Sequence, residues 1–422
     1  MKKRYKRMKL MILCGIVSLS LITGCGKEKS NNVREESLHL SLKSVQNEAN
    51  EFDYNGTILD LSKVDIRIPE VTEVYDISFD FMNRDTDEVE DLFLNDASVL
   101  IGVDKNKINL DHAVYVVNEW VEVNDEYENP MKEHRYSFSD VPDEIKSNMD
   151  SYISYNDGRY SMLLYQSSFM CEYSDNQIPK EITNDNNDYT DITWGYRALD
   201  LGTPYKTYYP LIDDISDVSY KMWDGIEYPL DEAISFAENY AKNQFKIGGS
   251  DVLDYYVYMV DVRKIEEDRY YYQMNICAAY KGVTLEYDNY YERDDNDYSY
   301  YQDSHHLCVF EKDNCSYMWS SCNSFDNARI TNKYTEIIPL SAACKAIEKV
   351  FTQNKKLKVN SVELQYATKI RYITQEDDLQ CGVGVDAHPV YHFVVKNPKI
   401  LSYTTIMFDV DAIDGSVVVM YK

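Results

Sequence analysis

Alternation of apolar and polar side chains at every second position dominates this chain, most clearly in its second half. Val362, Leu364, Tyr366, Thr368, Ile370 and Tyr372 keep this period, as a half-buried strand does when successive side chains point to opposite faces. Tyr256, Tyr258, Val260 and Val262 repeat it, and further strands are expected at Tyr270–Tyr280 and Val390–Val395. Two hairpins are predicted, Leu307–Phe310 with Ser316–Trp319 and Thr405–Val410 with Val417–Tyr421. Asp313-Asn314 and Asp414-Gly415 supply their reversals, because Asn, Asp and Gly tolerate the backbone angles of tight turns. Helical spacing interrupts the alternation at two places that begin alike. Pro229-Leu230-Asp231-Glu232-Ala233 leads into Phe236, Ala237 and Tyr240, and Pro339-Leu340-Ser341-Ala342-Ala343 leads into Ile347, Val350 and Phe351. Asp231 and Ser341 are the expected N-caps, their oxygens accepting first-turn amides. One helix followed by about four strands is therefore predicted twice.

The first half is more broken. From about residue 40 to 82 the chain reads as extended pieces, with a turn at Asn55-Gly56 and alternation at Val64, Ile66 and Ile68. Val89, Leu92, Phe93, Ala97 and Leu100 fall at helical spacing, predicting a helix over Thr86–Ile101. Strands are expected at His112–Val123 and in a hairpin over Tyr152–Tyr173 that turns at Asn156-Asp157-Gly158. Residues 174–193 read as an acidic loop, in which Asp185 and Asn187 lack the glycine and final glutamate of a calcium loop. The expected fold class is α+β. An N-terminal α+β domain at 37–210 precedes two helix-plus-antiparallel-sheet repeats at 211–330 and 331–422.

The N-terminus changes the picture. Lys2, Lys3, Arg4, Lys6, Arg7 and Lys9 precede an uncharged apolar run from Leu10 to Thr23, too short to span a bilayer and of signal-peptide type. The run ends in Leu21-Ile22-Thr23-Gly24-Cys25, which resembles the lipobox of bacterial lipoproteins. That resemblance implies removal of residues 1–24, a diacylglyceryl anchor on Cys25, a polar tether at 25–36 and a place on the extracytoplasmic face of the cell membrane. Two acyl chains are enough for stable anchoring. The whole chain carries a net charge of −29, and residues 1–24 hold six of its 43 cations and no acid, leaving the remainder near −35. Such a surface repels nucleic acid and anionic lipid headgroups, so neither is an expected ligand.

The segment Tyr334–Lys422 resembles a PepSY-type domain. The resemblance rests on the helix Ala343–Phe351, the strand Val362–Tyr372 and the closing run Phe408-Asp409-Val410-Asp411-Ala412-Ile413-Asp414-Gly415-Ser416-Val417-Val418. The glycine lead usual in that family fits Gly248-Gly249 in the first repeat but is replaced by Lys355-Lys356 in the second. Through Val64–Val74 and the run Trp223–Ala233, the whole chain is also similar to a group of surface lipoproteins of Gram-positive bacteria with no assigned activity. PepSY domains are associated with binding or restraining peptidases and with signalling outside the membrane, so the resemblance implies an interaction module.

No catalytic signature is present: no nucleophile elbow, zinc-protease helix or P-loop. Gly382-Val383-Gly384 lacks a third glycine and reads as a turn. His305-His306 near Asp294, Asp295, Asp297 and Asp303 reads as solvated loop, and His388 and His392 share a face but stand about 13 Å apart along a strand. No metal, cofactor or enzymatic activity is expected. Seven cysteines follow Cys25, and buried thiols or one disulfide account for them better than a zinc site does. Thirteen of the 39 tyrosines lie between Tyr255 and Tyr301. Tyrosine suits half-buried sheet faces, but Tyr290, Tyr291, Tyr300 and Tyr301 form a candidate ligand platform. The expected function is a non-catalytic module that binds or regulates an extracytoplasmic protein. The alternative is a glycan or cell-wall binder using those tyrosines.

Overall fold

Short polar turns join long alternating segments, so neighbouring strands pair as antiparallel ladders. Asp313 (φ 54°) and Gly415 (φ 77°) take the left-handed backbone angles that close the two predicted hairpins. The computed structural model describes residues 39–62, 64–81, 94, 98, 104–120, 131–137, 140, 151–156, 160–165, 168–174, 204–210, 213–244, 252–285, 292–293, 304–323, 325–351, 356–374, 380–396, 398 and 404–421. Its main strands run in chain order from β1 (Asp65–Arg67), β2 (Val74–Phe81), β3 (Ala113–Trp120), β4 (Met131–Ser137), β5 (Ser151–Asn156) and β6 (Tyr160–Tyr165) to β7 (Ser168–Ser174) and β8 (Lys206–Tyr208). They continue with β9 (Asp254–Glu266), β10 (Arg269–Tyr280), β11 (Ser304–Glu311), β12 (Asn314–Asn323) and β13 (Phe325–Tyr334). The last four are β14 (Ser361–Thr374), β15 (Gln380–Lys396), β16 (Thr405–Asp411) and β17 (Val417–Tyr421). The α-helices among the described residues are α1 (Leu42–Asn50), α2 (Leu230–Gln244) and α3 (Leu340–Val350). No described helix is long and apolar enough to cross a membrane.

The expected α+β class is overturned. The molecule is mostly β, with 25 strands against three α-helices among the described residues. Helix-then-meander order does recur, as α2 with β9–β12 and α3 with β14–β17, but neither meander is a self-contained unit. The first lies in an 11-stranded sheet of order β8-β9-β10-β11-β12-β7-β6-β5-β3-β4, with the two-residue strand Val283–Thr284 also paired to β10. The second lies in an 8-stranded sheet that takes β1 onto one edge and pairs β2 with both β13 and β15. Strands from the first third of the chain thus complete both sheets, where an independent N-terminal α+β domain was expected. Edge-to-edge pairing satisfies backbone groups that separate small sheets would leave open.

One device is common to both halves. The Tyr272 hydroxyl donates to the Tyr228 carbonyl at 2.6 Å, and the Tyr391 hydroxyl donates to the Ile338 carbonyl at 2.7 Å. Each carbonyl immediately precedes the Pro-Leu pair that opens α2 or α3. The helices start one residue earlier than expected, at Leu230 and Leu340, so Asp231 and Ser341 are not their caps. The first amide of α3 is instead met by the Glu48 carboxylate of α1, at 3.3 Å.

Three further expectations fail locally. Residues 42–50 form a helix rather than an extended piece, opened by Ser41, whose hydroxyl accepts the Ser44 amide, and anchored by buried Leu42 and Val45. Gly382 and Gly384 lie within β15 rather than in a turn, since a side chain at Gly384 would meet the Phe79 carbonyl oxygen at 2.1 Å. Glycine there lets β2 approach β15. His305 and His306 lie in β11 rather than in a solvated loop. Of the helix predicted over Thr86–Ile101, only Leu94 and Ser98 are described, and both are helical. Cys277, Cys308 and Cys344 are buried thiols outside any disulfide.

Candidate functional site

Alternation along β1, β14 and β15 places Asp65, Arg67, Ser361, Glu363, Gln365, His392, Val394 and Lys396 on one face of the smaller sheet. Tyr258 and Met259 of β9, with Tyr209 just beyond β8, close over that face, and a cleft of about 350 Å³ remains. Pairing of β9 with β10 slips between Val257 and Met259, a β-bulge placed at Tyr258. Bulges re-aim side chains, here at the cleft wall.

The floor carries a transverse row of ionisable groups. Register sets Arg67 beside Glu363, Glu363 beside His392, and His392 beside Asp409 on four adjacent strands. Arg67 Nη1 lies 3.4 Å from Glu363 Oε2, and its Nε lies 2.9 Å from Asp65 Oδ2. Thr284 donates to Glu363 at 2.9 Å, and His392 Nδ1 stands 2.7 Å from Asp409 Oδ1. Glu363, His392 and Asp409 are all buried. A carboxylate only accepts, so the His392 ring donates to Asp409 through Nδ1.

The second histidine of β15 sits where that strand changes partner. β15 pairs β14 along its length, whereas on its other side β2 covers residues 384–387 and β16 covers residues 390–396. His388 falls in the gap. Its Nδ1 contacts Asp76 of β2, and its Nε2 lies 2.6 Å from Asp411 Oδ2 of β16. Burial disfavours the charged ring, but Asp411 and Asp76 together outweigh it and hold the pKa above the usual 6.5. Burial likewise pushes the Asp411 carboxyl up, and His388 with the amides of Asp414 and Ile413 brings it below its ordinary value. The two histidines share a face, as the spacing predicted, and each has its own carboxylates. Among the described residues no group of three or more His, Cys, Asp or Glu side chains is arranged to hold a metal ion.

A tyrosine patch lies at the edge of the larger sheet. Tyr205, beside edge strand β8, is 58% exposed. Its ring centroid lies 5.2 Å from that of Tyr270, and Tyr270 lies 5.1 Å from Tyr220 in an edge-to-face pair. Tyr220 belongs to the small hairpin Ser219–Lys221 with Glu227–Pro229, whose tip exposes Ile226. Burial, then the hydroxyl of Tyr208 3.0 Å away, pushes the Tyr220 pKa well up.

Cys25, Tyr290, Tyr291, Tyr300 and Tyr301 lie outside the described residues, as do Asp294, Asp295, Asp297 and Asp303. Of the tyrosine-rich stretch, Tyr270 and Tyr258 reach the patch and the cleft respectively. The Glu363–His392–Asp409 row escaped the sequence reading because its members are up to 46 positions apart and meet only through strand register. Alternation already put Glu363 and His392 opposite the apolar faces of their strands, and that was the available signal. The sequence matches no protein-family model, and no curated protein is similar to it.

Proposed function

We propose that this chain is a lipid-anchored, extracytoplasmic protein that binds another protein outside the membrane and performs no catalysis. The anchor rests on the lipobox-like run ending at Cys25 and on the polar tether behind it. The binding reading is carried by one observation, the partly exposed tyrosine patch at the β8 edge of the larger sheet. Tyrosine is enriched at the centres of protein interfaces, because its ring buries much area at small entropic cost while its hydroxyl keeps a polar handle. Among the described residues strand β8 pairs only β9, so its outer edge also offers backbone groups for strand addition. High negative charge keeps the molecule off anionic headgroups and leaves the patch accessible.

The test is capture by the detergent-solubilised mature chain from solubilised envelope, in parallel with retention on purified wall polymer. A single stoichiometric protein partner is expected, and Tyr205→Ser with Ile226→Asp lowers its recovery by about tenfold. Both side chains are more than half exposed, so the fold survives the change. Retention on polymer that depends on the same residues, without protein capture, identifies a glycan binder instead. Equal recovery by the variant removes the patch from the account.

A further inference from the structure

We infer that the cleft between the two sheets is a second site, which binds short zwitterionic peptides of two or three residues. The inference is independent of the tyrosine patch. It starts from an energetic oddity in the seam. Glu363, His392, Asp409 and Gln365 are buried where sheet meets sheet, a place that apolar side chains would close without desolvating any charge. Buried ion pairs contribute little net stability, so polar groups around a cavity of about 350 Å³ point to an occupant.

The charge layout selects that occupant. At one end the carboxylates of Glu363 and Asp65 flank Arg67, two acids to one guanidinium in this cluster. At the other end stands Lys396, which has no carboxylate within ion-pair distance among the described residues. Lys396 and His392 are four residues apart on β15, about 13 Å along the strand. An extended peptide advances ~3.3–3.6 Å per residue, so two or three residues carry an ammonium to the acidic end and a carboxylate to Lys396. A single amino acid is too short to reach both ends. At the Lys396 end the Asn360 side chain offers its amide N–H to peptide groups, its Oδ1 accepting the Lys396 backbone N–H at 2.7 Å, and Gln365 lines the cleft beyond Glu363. Tyr258, Met259 and Val394 supply apolar walls for side chains.

The experiment is isothermal titration of the full mature chain in detergent with trialanine, N-acetyl-trialanine, trialanine amide and alanine. Trialanine is expected to bind, and blocking either terminus to weaken it by about tenfold. Lys396→Ala should bind trialanine and its amide equally, because the variant lacks the group that distinguishes them. Glu363→Gln should in the same way lose discrimination against the acetylated peptide. Should Glu363→Gln fail to fold, the exposed Lys396→Ala variant decides alone. No binding of trialanine up to about 10 mM, equal affinity for free and blocked peptides, or unaltered discrimination in Lys396→Ala would overturn the assignment.

Discussion

At the scale of single residues, His388 makes stability depend on pH. Its pKa is raised in the folded chain, so the stabilisation is fully present below about pH 6.5 and is lost as pH rises through the raised value. The ring is about one-third exposed, which limits the effect to on the order of 1 kcal/mol. Urea midpoints measured between pH 5.5 and 9 should fall across that window, and His388→Asn should flatten the profile. A profile unaltered by the substitution contradicts the role. The paired tyrosines give a second prediction. Tyr272→Phe and Tyr391→Phe each remove a buried hydrogen bond to the carbonyl that precedes a Pro-Leu helix start, at a cost of about 1–2 kcal/mol. Similar costs in urea unfolding are expected from the equivalent geometry, whereas a negligible cost in either shows that its carbonyl is satisfied by water. The common facing of His388 and His392 was legible from strand period alone. Their carboxylate partners were not, since Asp76 lies 312 positions from His388.

At the scale of elements, a carboxylate of α3 ties residues 54–59 to that helix, beside the short parallel pairing of Leu59–Asp60 with Leu357–Lys358. Glu348 of α3 accepts the Ile58 amide at 2.8 Å and the Leu59 amide at 3.1 Å, with the Tyr54 and Thr57 hydroxyls at 3.2 Å. Burial pushes its pKa up, but those amides and the hydroxyls bring it below its ordinary value. Gly56 leaves room beside it, because an added Cβ would displace the carboxylate from these hydrogen bonds. Glu348→Ala should cost about 1–3 kcal/mol and expose residues 54–61 to faster amide exchange, with Glu348→Gln milder because its oxygen still accepts. Uniform exchange across α3 and residues 54–61 in both variants would contradict this linkage. The hairpins closed by Asp313 and Gly415 were readable because turn chemistry is local. Helix α1 was missed for a comparable reason. Its nine residues hold only Leu42 and Val45 as buried anchors, too few to outweigh the alternation that follows at Val64, Ile66 and Ile68.

At the scale of the whole molecule, the sheets are completed by strands far apart in sequence. β2 pairs β13 and β15 across some 250 to 300 positions, and β7 pairs β12 across about 150. Long-range pairing leaves no periodic trace, which is why a helix-plus-sheet unit was read where the chain builds two wide sheets. Packing of Tyr258, Met259 and Tyr209 over the smaller sheet also creates the cleft, so the cleft too was invisible in the sequence. The proposed function depends on placement: in it, a lipid on Cys25 holds an acidic β-rich body outside the cell and offers its tyrosine patch to a partner. The most direct test is fractionation of whole cells producing the natural chain and Cys25→Ser. The natural chain should sediment with membranes and be digested by protease added outside the cells, and Cys25→Ser should leave the membrane fraction. Unchanged sedimentation of Cys25→Ser, or protection of the natural chain from external protease, would contradict the account.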